Sequence, residues 1–176
     1  PLLGRPDLQD PEVARLLVST GYEAVLSWFW PRRIPLSLIE RAPRGAFGCH
    51  PSLLPRWRGP DPFFHAIDAG DATTGVTLHR LAAEYDTGRI VASLTLPIEP
   101  RENAWRLARR LDRPSLALLL GCADALRSGL ALEGTPQDDA RATAAPSPDD
   151  EALALRVASP AAALARRVRA SFPLGA

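Results

Sequence analysis

The segment Ala24-Val25-Leu26-Ser27-Trp28-Phe29-Trp30 is apolar at nearly every position and shows no apolar–polar alternation. A run of that kind and length suits a strand covered on both faces, as in a parallel sheet. Pro31 is expected to end it. Ala46 to His50 reads as a second short strand that runs straight into a loop rich in proline and arginine. A helix is expected before the first strand, with Asp10 as N-cap, Pro11 at the first helical position and Gly21 as its stop. Another is expected over Pro35 to Arg41. Helix–strand–helix–strand order argues for an α/β protein. The expected sheet is mostly parallel and twisted.

Further along, Asp61 to Ala69 reads as a helix with Phe63, Phe64 and Ile67 on one side. Gly75 to Leu81 and Arg89 to Ile98 alternate like strands, and Glu84-Tyr85-Asp86-Thr87-Gly88 is the turn between them. A long helix is expected from Glu102 to Leu130, carrying Trp105, Leu107, Leu111, Leu116, Leu119 and Leu126, with Pro114 kinking or splitting it. Residues 134–158 are polar and proline-bearing and read as exposed loop or linker. A last helix opens at Ser159-Pro160. The organisation expected is therefore a partial catalytic core over 1–133, a linker over 134–158 and a C-terminal helix over 159–176.

Composition excludes several classes. With 46% hydrophobic and 23% charged residues the chain is of ordinary globular type. Its longest apolar stretch, Leu116 to Leu120, falls far short of the ~20 residues that span a bilayer. A net charge of +1 offers no global attraction to nucleic acid. There is no lysine, so all 21 basic residues are arginine, which reads as a GC-rich coding bias. Cys49 and Cys122 are too few for a disulfide framework and too far apart for a zinc pattern, so a reducing cytoplasm is expected.

His50 ends a strand and precedes Pro51, which keeps it out of the helical region. In open α/β sheets ligands bind at the carboxyl ends of strands, and a histidine there can serve as general acid or base. The alternative is a histidine buried in the sheet with its nitrogens satisfied. Asp86 sits in a turn, where an aspartate often bonds only its own backbone. Cys49 points away from Gly48 and His50 on a regular strand and reads as a small core residue. His65 reads as a surface or packing residue on its helix.

Taken in order, His50-Pro51-Ser52-Leu53-Leu54-Pro55-Arg56-Trp57-Arg58-Gly59, Ala66-Ile67, Gly70-Asp71, Thr74-Gly75-Val76-Thr77 and Asp86-Thr87-Gly88 closely resemble the 10-formyltetrahydrofolate-dependent formyltransferases. The matching elements cover roughly residues 10–130, and the resemblance is nearest to the branch that formylates methionyl-tRNA. It implies a three-layer, Rossmann-like α/β fold with a mostly parallel, twisted sheet. It implies further that an amine attacks the formyl carbon of the folate cosubstrate, with His50 and Asp86 catalytic and no metal. It also implies a substrate-binding role for Ser52, Leu53, Leu54, Arg56, Arg58, Gly59, Thr87 and Gly88. A phosphate-bearing acceptor could meet Arg56 and Arg58, although packing of the loop accounts for them equally.

Two departures stand out. The family's asparagine, two positions before the histidine, is here Gly48. Losing one oxyanion donor costs on the order of 10²–10³ in rate. Either another group replaces it, with His79 the candidate, or the enzyme is slow, or the domain is a folate-binding pseudoenzyme. The chain also has no methionine and opens on Pro1. The strand–glycine turn–helix unit that begins the family's domain is therefore expected to be missing, as are the basic loop and β-barrel that hold tRNA. Such a sheet would expose an edge, to be covered by a longer native chain or by homodimerisation. The acceptor is thus an amine of methionyl-tRNA or of a sugar nucleotide, with tRNA unsupported by this segment.

Overall fold

A computed structural model describes residues 6–30 and 32–172. Pro31, residues 1–5 of the expected core and residues 173–176 of the expected last helix lie outside them. In chain order the elements are α1 (Pro11–Ser19), β1 (Val25–Trp28), α2 (Leu36–Glu40), β2 (Ala46–His50), α3 (Pro62–Ala69), β3 (Thr73–Arg80), β4 (Ile90–Pro97), α4 (Ala104–Arg127), α5 (Asp150–Leu153) and α6 (Ala161–Ser171). Asp10 caps α1 as expected, its carboxylate accepting the Glu12 N–H at 2.7 Å. Proline takes the first helical turn of both α1 and α3, where a missing N–H costs nothing.

The α/β architecture is as expected, and the four strands lie in sequence order, β1-β2-β3-β4. The sheet is mixed rather than mostly parallel. β1 and β2 are parallel, while β2–β3 and β3–β4 are antiparallel. The register His50↔Thr77 explains why. The loop after His50 and the short α3 return the chain to the end of the sheet where β2 finishes, so β3 starts there and runs back. β1 also differs from expectation. It is an edge strand with alternating burial, and Leu26 and Trp28 remain 41% and 46% exposed.

α4 lies across the sheet and touches all four strands. Pro114 does not split it: the helix is continuous from Ala104 to Arg127. Leu107, Leu111, Ser115, Leu119, Cys122 and Leu126 form one buried stripe on both sides of the proline. Each buried leucine contributes about 1.5–3 kcal/mol, which together outweighs the ~3 kcal/mol cost of an interior proline. Trp105 lies off that stripe and is 51% exposed. At one end of α4, Leu107 and Leu111 pack with Phe64 and Ile67 of α3, Val76 of β3 and Ala170 of α6. At the other, Leu119, Cys122 and Leu126 pack with Phe47, Cys49 and Leu78.

Residues 134–158, read as linker, are built into the structure. They hold a short 3-10 turn at Asp139–Arg141 and α5. Thr135 pairs with Ile90, and Arg58 bridges to Ala144.

The stripe on α4 yields a direct test. Leu111→Ala is expected to destabilise the fold by about 2–5 kcal/mol in chemical denaturation, and Trp105→Ala by markedly less.

Candidate active site

Strand alternation decides which side chains can meet. Phe47 and Cys49 of β2 and Val76 and Leu78 of β3 face the α4 core. The intervening residues Gly48, His50, Thr77 and His79 therefore share the opposite face, where the antiparallel register sets Gly48 across from His79 and His50 across from Thr77. Asp86 comes from the loop between β3 and β4 and sits at φ 57°, a left-handed conformation that aspartate adopts more readily than most residues.

These residues close around one carboxylate. His50 Nδ1 lies 3.4 Å from Asp86 Oδ2, and His79 Nε2 lies 3.6 Å from Asp86 Oδ1. The second nitrogen of each ring faces a backbone carbonyl, His50 Nε2 that of Trp57 at 2.7 Å and His79 Nδ1 that of Arg80 at 2.9 Å. Those partners assign the proton of each neutral ring to the carbonyl side. What faces Asp86 is then a lone pair from each imidazole. Asp86 Oδ2 also accepts the Gly59 N–H at 3.0 Å.

Both imidazoles are buried. Burial holds the pKa of each below the usual histidine value, opposing the Asp86 carboxylate, which pulls it up. At neutral pH the pair is therefore a pair of bases beside a carboxylate. A proton taken up by either ring would face that carboxylate and become a hydrogen-bond donor.

Gly48 has a structural counterpart. A Cβ built there would stand 3.5 Å from His79 Nε2 and 2.9 Å from Leu81 Cδ2. The His79 imidazole thus overlies the space into which a side chain at 48 would grow.

The cluster lines a cleft of about 610 Å³. Gly59 lines it with His50, His79 and Asp86. Gly48 and Cys49 line it as well, whereas the other residues expected to bind substrate do not, because the loops use them to hold themselves. Ser52 Oγ donates to the Arg56 carbonyl, and Thr77 Oγ1 donates to that of Ser52 and accepts from Leu54 N–H. Leu54 is buried, and Leu53 lines a separate small groove with Arg56 and Trp57. Arg56 pairs with Asp71 through two bonds and stacks over Trp57 at 4.1 Å. Arg58 is taken by Gln137 and Asp139. Thr87 bonds the Glu84 carbonyl, and the Gly88 carbonyl accepts from Gln137. The geometry of the two arginines is thus that of loop packing. His65 packs too, stacking on Trp57. Cys49 stays in the core, where its thiol donates to the Ser115 carbonyl and burial pushes its pKa up to about 12.

Sequence reasoning missed the opposite wall, which includes Phe29, Trp30, Arg33, Leu81 and Tyr85. The only signal for it was position, since β1 ends at Trp28 beside the end of β2. Arg33 pairs with Glu84 and lies over the Tyr85 ring. The buried indole N–H of Trp30 meets no hydrogen-bond partner among the described residues. Among those residues no helix is long and apolar enough to cross a membrane, and no group of three or more histidines, cysteines or acids could hold a metal ion.

Fold and site together define an α/β domain with a buried His–Asp–His cluster at a cleft. The sequence pattern of the formyl transferase family matches residues 3–121, and the chain belongs to that family. It is 34% identical to a methionyl-tRNA formyltransferase of Paraburkholderia phymatum, over 98% of this chain and 54% of that protein. Its identity to a Burkholderia mallei protein of the same name is 37%, over 92% of this chain and 50% of that one. The chain thus spans about half the length of these relatives. Two solved structures share its fold. HypX from Aquifex aeolicus in complex with tetrahydrofolic acid superposes with a TM-score of 0.73 at 22% identity, over 86% of this chain and 26% of that one. A sugar N-formyltransferase from a Shewanella species gives 0.79 at 20% identity, over 94% and 66%.

The two buried histidines make stability pH-dependent. Unfolded, they take up protons near 6.5, whereas folded they do so only at lower pH. The unfolded state therefore binds more protons below about 6.5, and stability is lost as pH falls through that window. Urea unfolding at a series of pH values is expected to show this slope, and His79→Gln is expected to reduce it.

Proposed function

We propose that this chain transfers the formyl group of 10-formyltetrahydrofolate to an amine, and that the amine is most nearly that of methionyl-tRNA. The observation that carries the reading is the His50–Asp86–His79 cluster at the cleft. The cleft suits a flat, polar heterocycle. Its wall offers aromatic rings and a buried indole N–H with no protein partner among the described residues, a donor that a pterin carbonyl could use. When bound, the folate supplies an electrophilic formyl carbon on nitrogen.

The chain's own residues supply proton management. The attacking amine forms the new C–N bond and must lose a proton, and the nitrogen that leaves the formyl carbon must gain one. His50 Nδ1, a lone pair against Asp86, accepts the first proton. The resulting imidazolium is held by the carboxylate and returns a proton to the leaving nitrogen, so none is consumed overall. Such general acid–base catalysis contributes about 10²–10⁴-fold. His79 occupies the side of the cleft that the missing asparagine would have served. Once protonated at Nε2 and held by Asp86, its positive charge offsets the negative charge that develops on the formyl oxygen.

A specific observation favours keeping a second acceptor in view. The Shewanella structure is of a sugar N-formyltransferase, and an N-formyltransferase from Helicobacter canadensis was solved with folinic acid and dTDP-3-aminofucose. An amine on a sugar nucleotide is therefore the alternative acceptor. The test supplies 10-formyltetrahydrofolate with methionyl-tRNA or with a nucleotide-linked amino sugar and follows tetrahydrofolate release. Transfer to either identifies the acceptor. Transfer to neither, with folate bound, means a folate-binding domain without this activity.

His50→Ala and Asp86→Asn are each expected to lower turnover by about 10²–10⁴-fold, and full activity in both would overturn the mechanism. Gly48→Asn separates compensation from decay. If His79 has replaced the asparagine, Gly48→Asn brings no gain and His79→Ala costs about 10²–10³-fold. A rise in turnover with Gly48→Asn would instead mean that nothing replaced it.

A further inference from the structure

Three non-glycine residues among those described adopt positive φ: Phe29, Trp57 and Asp86. For such residues the left-handed region is sparsely populated, and it persists only where the surroundings hold it. Two of them, Trp57 and Asp86, control the catalytic cluster. Asp86 supplies the carboxylate, and the Trp57 carbonyl fixes His50 Nε2 at 2.7 Å. Both are held by one segment, which follows α4 and lies beyond the residues matched by the family pattern.

That segment is 134–146. The Gln137 side chain leaves no hydrogen-bonding group idle. Its amide donates to the carbonyls of Asp86 and Gly88, each at 2.7 Å, and its oxygen accepts from the Arg58 guanidinium at 2.7 and 3.1 Å. Only one orientation of the amide satisfies all these partners. Six residues on, Thr143 Oγ1 accepts the Trp57 N–H at 2.9 Å. The Thr143 carbonyl accepts from Arg58 N–H at 2.8 Å, and Ala145 N–H donates back to the Arg58 carbonyl at 2.7 Å. Gly59, whose N–H holds Asp86, lies so close to the Ala145 carbonyl that a Cβ there would stand 2.7 Å from it.

We propose that residues 134–146 form a strap that positions the catalytic cluster, with Gln137 and Thr143 its positioning residues. Gln137 sets the backbone from which the Asp86 carboxylate projects. Thr143 holds Trp57 on both sides, its hydroxyl accepting the Trp57 N–H and its carbonyl the N–H of the next peptide, whose own carbonyl chooses the His50 tautomer, so that Nδ1 and not Nε2 carries the lone pair that faces Asp86. The strap acts on the reacting groups through backbone atoms and adds no group of its own to the cleft.

The proposal rests on the formyl-transfer reading for its kinetic consequence but not for its structural one, so the test has two arms. In the first, the imidazole nitrogens of the full chain are observed by heteronuclear NMR without ligand. His50 is expected to be protonated at Nε2 in the parent protein. Thr143→Val leaves the Trp57 N–H without its acceptor and is expected to give a mixture of tautomers, whereas Thr143→Ser restores the parent pattern. In the second arm, Thr143→Val and Gln137→Met are expected to lower turnover about 10- to 100-fold while affinity for 5-formyltetrahydrofolate stays within about twofold. Gln137→Met keeps the arm decisive should Thr143→Val not fold. An unchanged His50 tautomer in folded Thr143→Val, a Thr143→Ser variant as impaired as Thr143→Val, or full turnover in Gln137→Met would each overturn the strap. Absence of formyl transfer in the parent protein would instead overturn the functional reading, and the NMR arm would still decide the strap.

Discussion

The antiparallel register between β2 and β3 is the constraint on which the rest of this structure depends. Every residue of β2 is buried, and its two faces have incompatible demands. Phe47 and Cys49 must enter the α4 core, so Gly48 and His50 must face the cleft. Pairing Gly48 with His79 then places an imidazole over the one residue that leaves room for it. A slip of one residue would exchange the faces of a strand, putting Phe47 into the cleft and His50 against leucines. The hydrophobic core and the candidate chemistry are two readings of one register, and neither can be changed alone.

How much of this could be read in advance depended on the range of the interactions. The helices with local caps and apolar stripes were legible, as were β2 and the loop that places Asp86, because each carries its signal within a few residues. That His50 and Asp86 would stand together was legible through their motif. The antiparallel course of β3 was not, since it depends on where α3 delivers the chain rather than on any residue in β3. Pro114 misled because a local rule against interior proline yields to a buried stripe running along both halves of α4. Arg56 and Arg58 looked like ligand groups, yet Asp71, Gln137 and Asp139 claim them from as far as 81 positions away. Composition made residues 134–146 look like loop or linker, because a segment held by polar side chains and backbone needs few apolar ones.

The clustering of positive-φ residues has an energetic meaning. Strained conformations survive where surrounding contacts over-determine them. Here they lie at the cleft or directly behind it, tied to the turn after α3, to the loop after β3 and to the segment after α4. The candidate chemistry is thus assembled from chain separated by nearly a hundred residues, and it depends on the whole sheet and its helices being folded together.

Cys49 adjoins His50 in sequence yet belongs to the other side of the sheet. Its thiolate is scarcely populated at neutral pH, with a pKa pushed up to about 12, and its proton is committed to the Ser115 carbonyl. Since thiol reactivity follows the thiolate, peroxide or an electrophilic poison has little purchase on it. The cysteine one peptide bond from the candidate chemistry is in this way kept as a thiol, its side chain turned to the far side of β2.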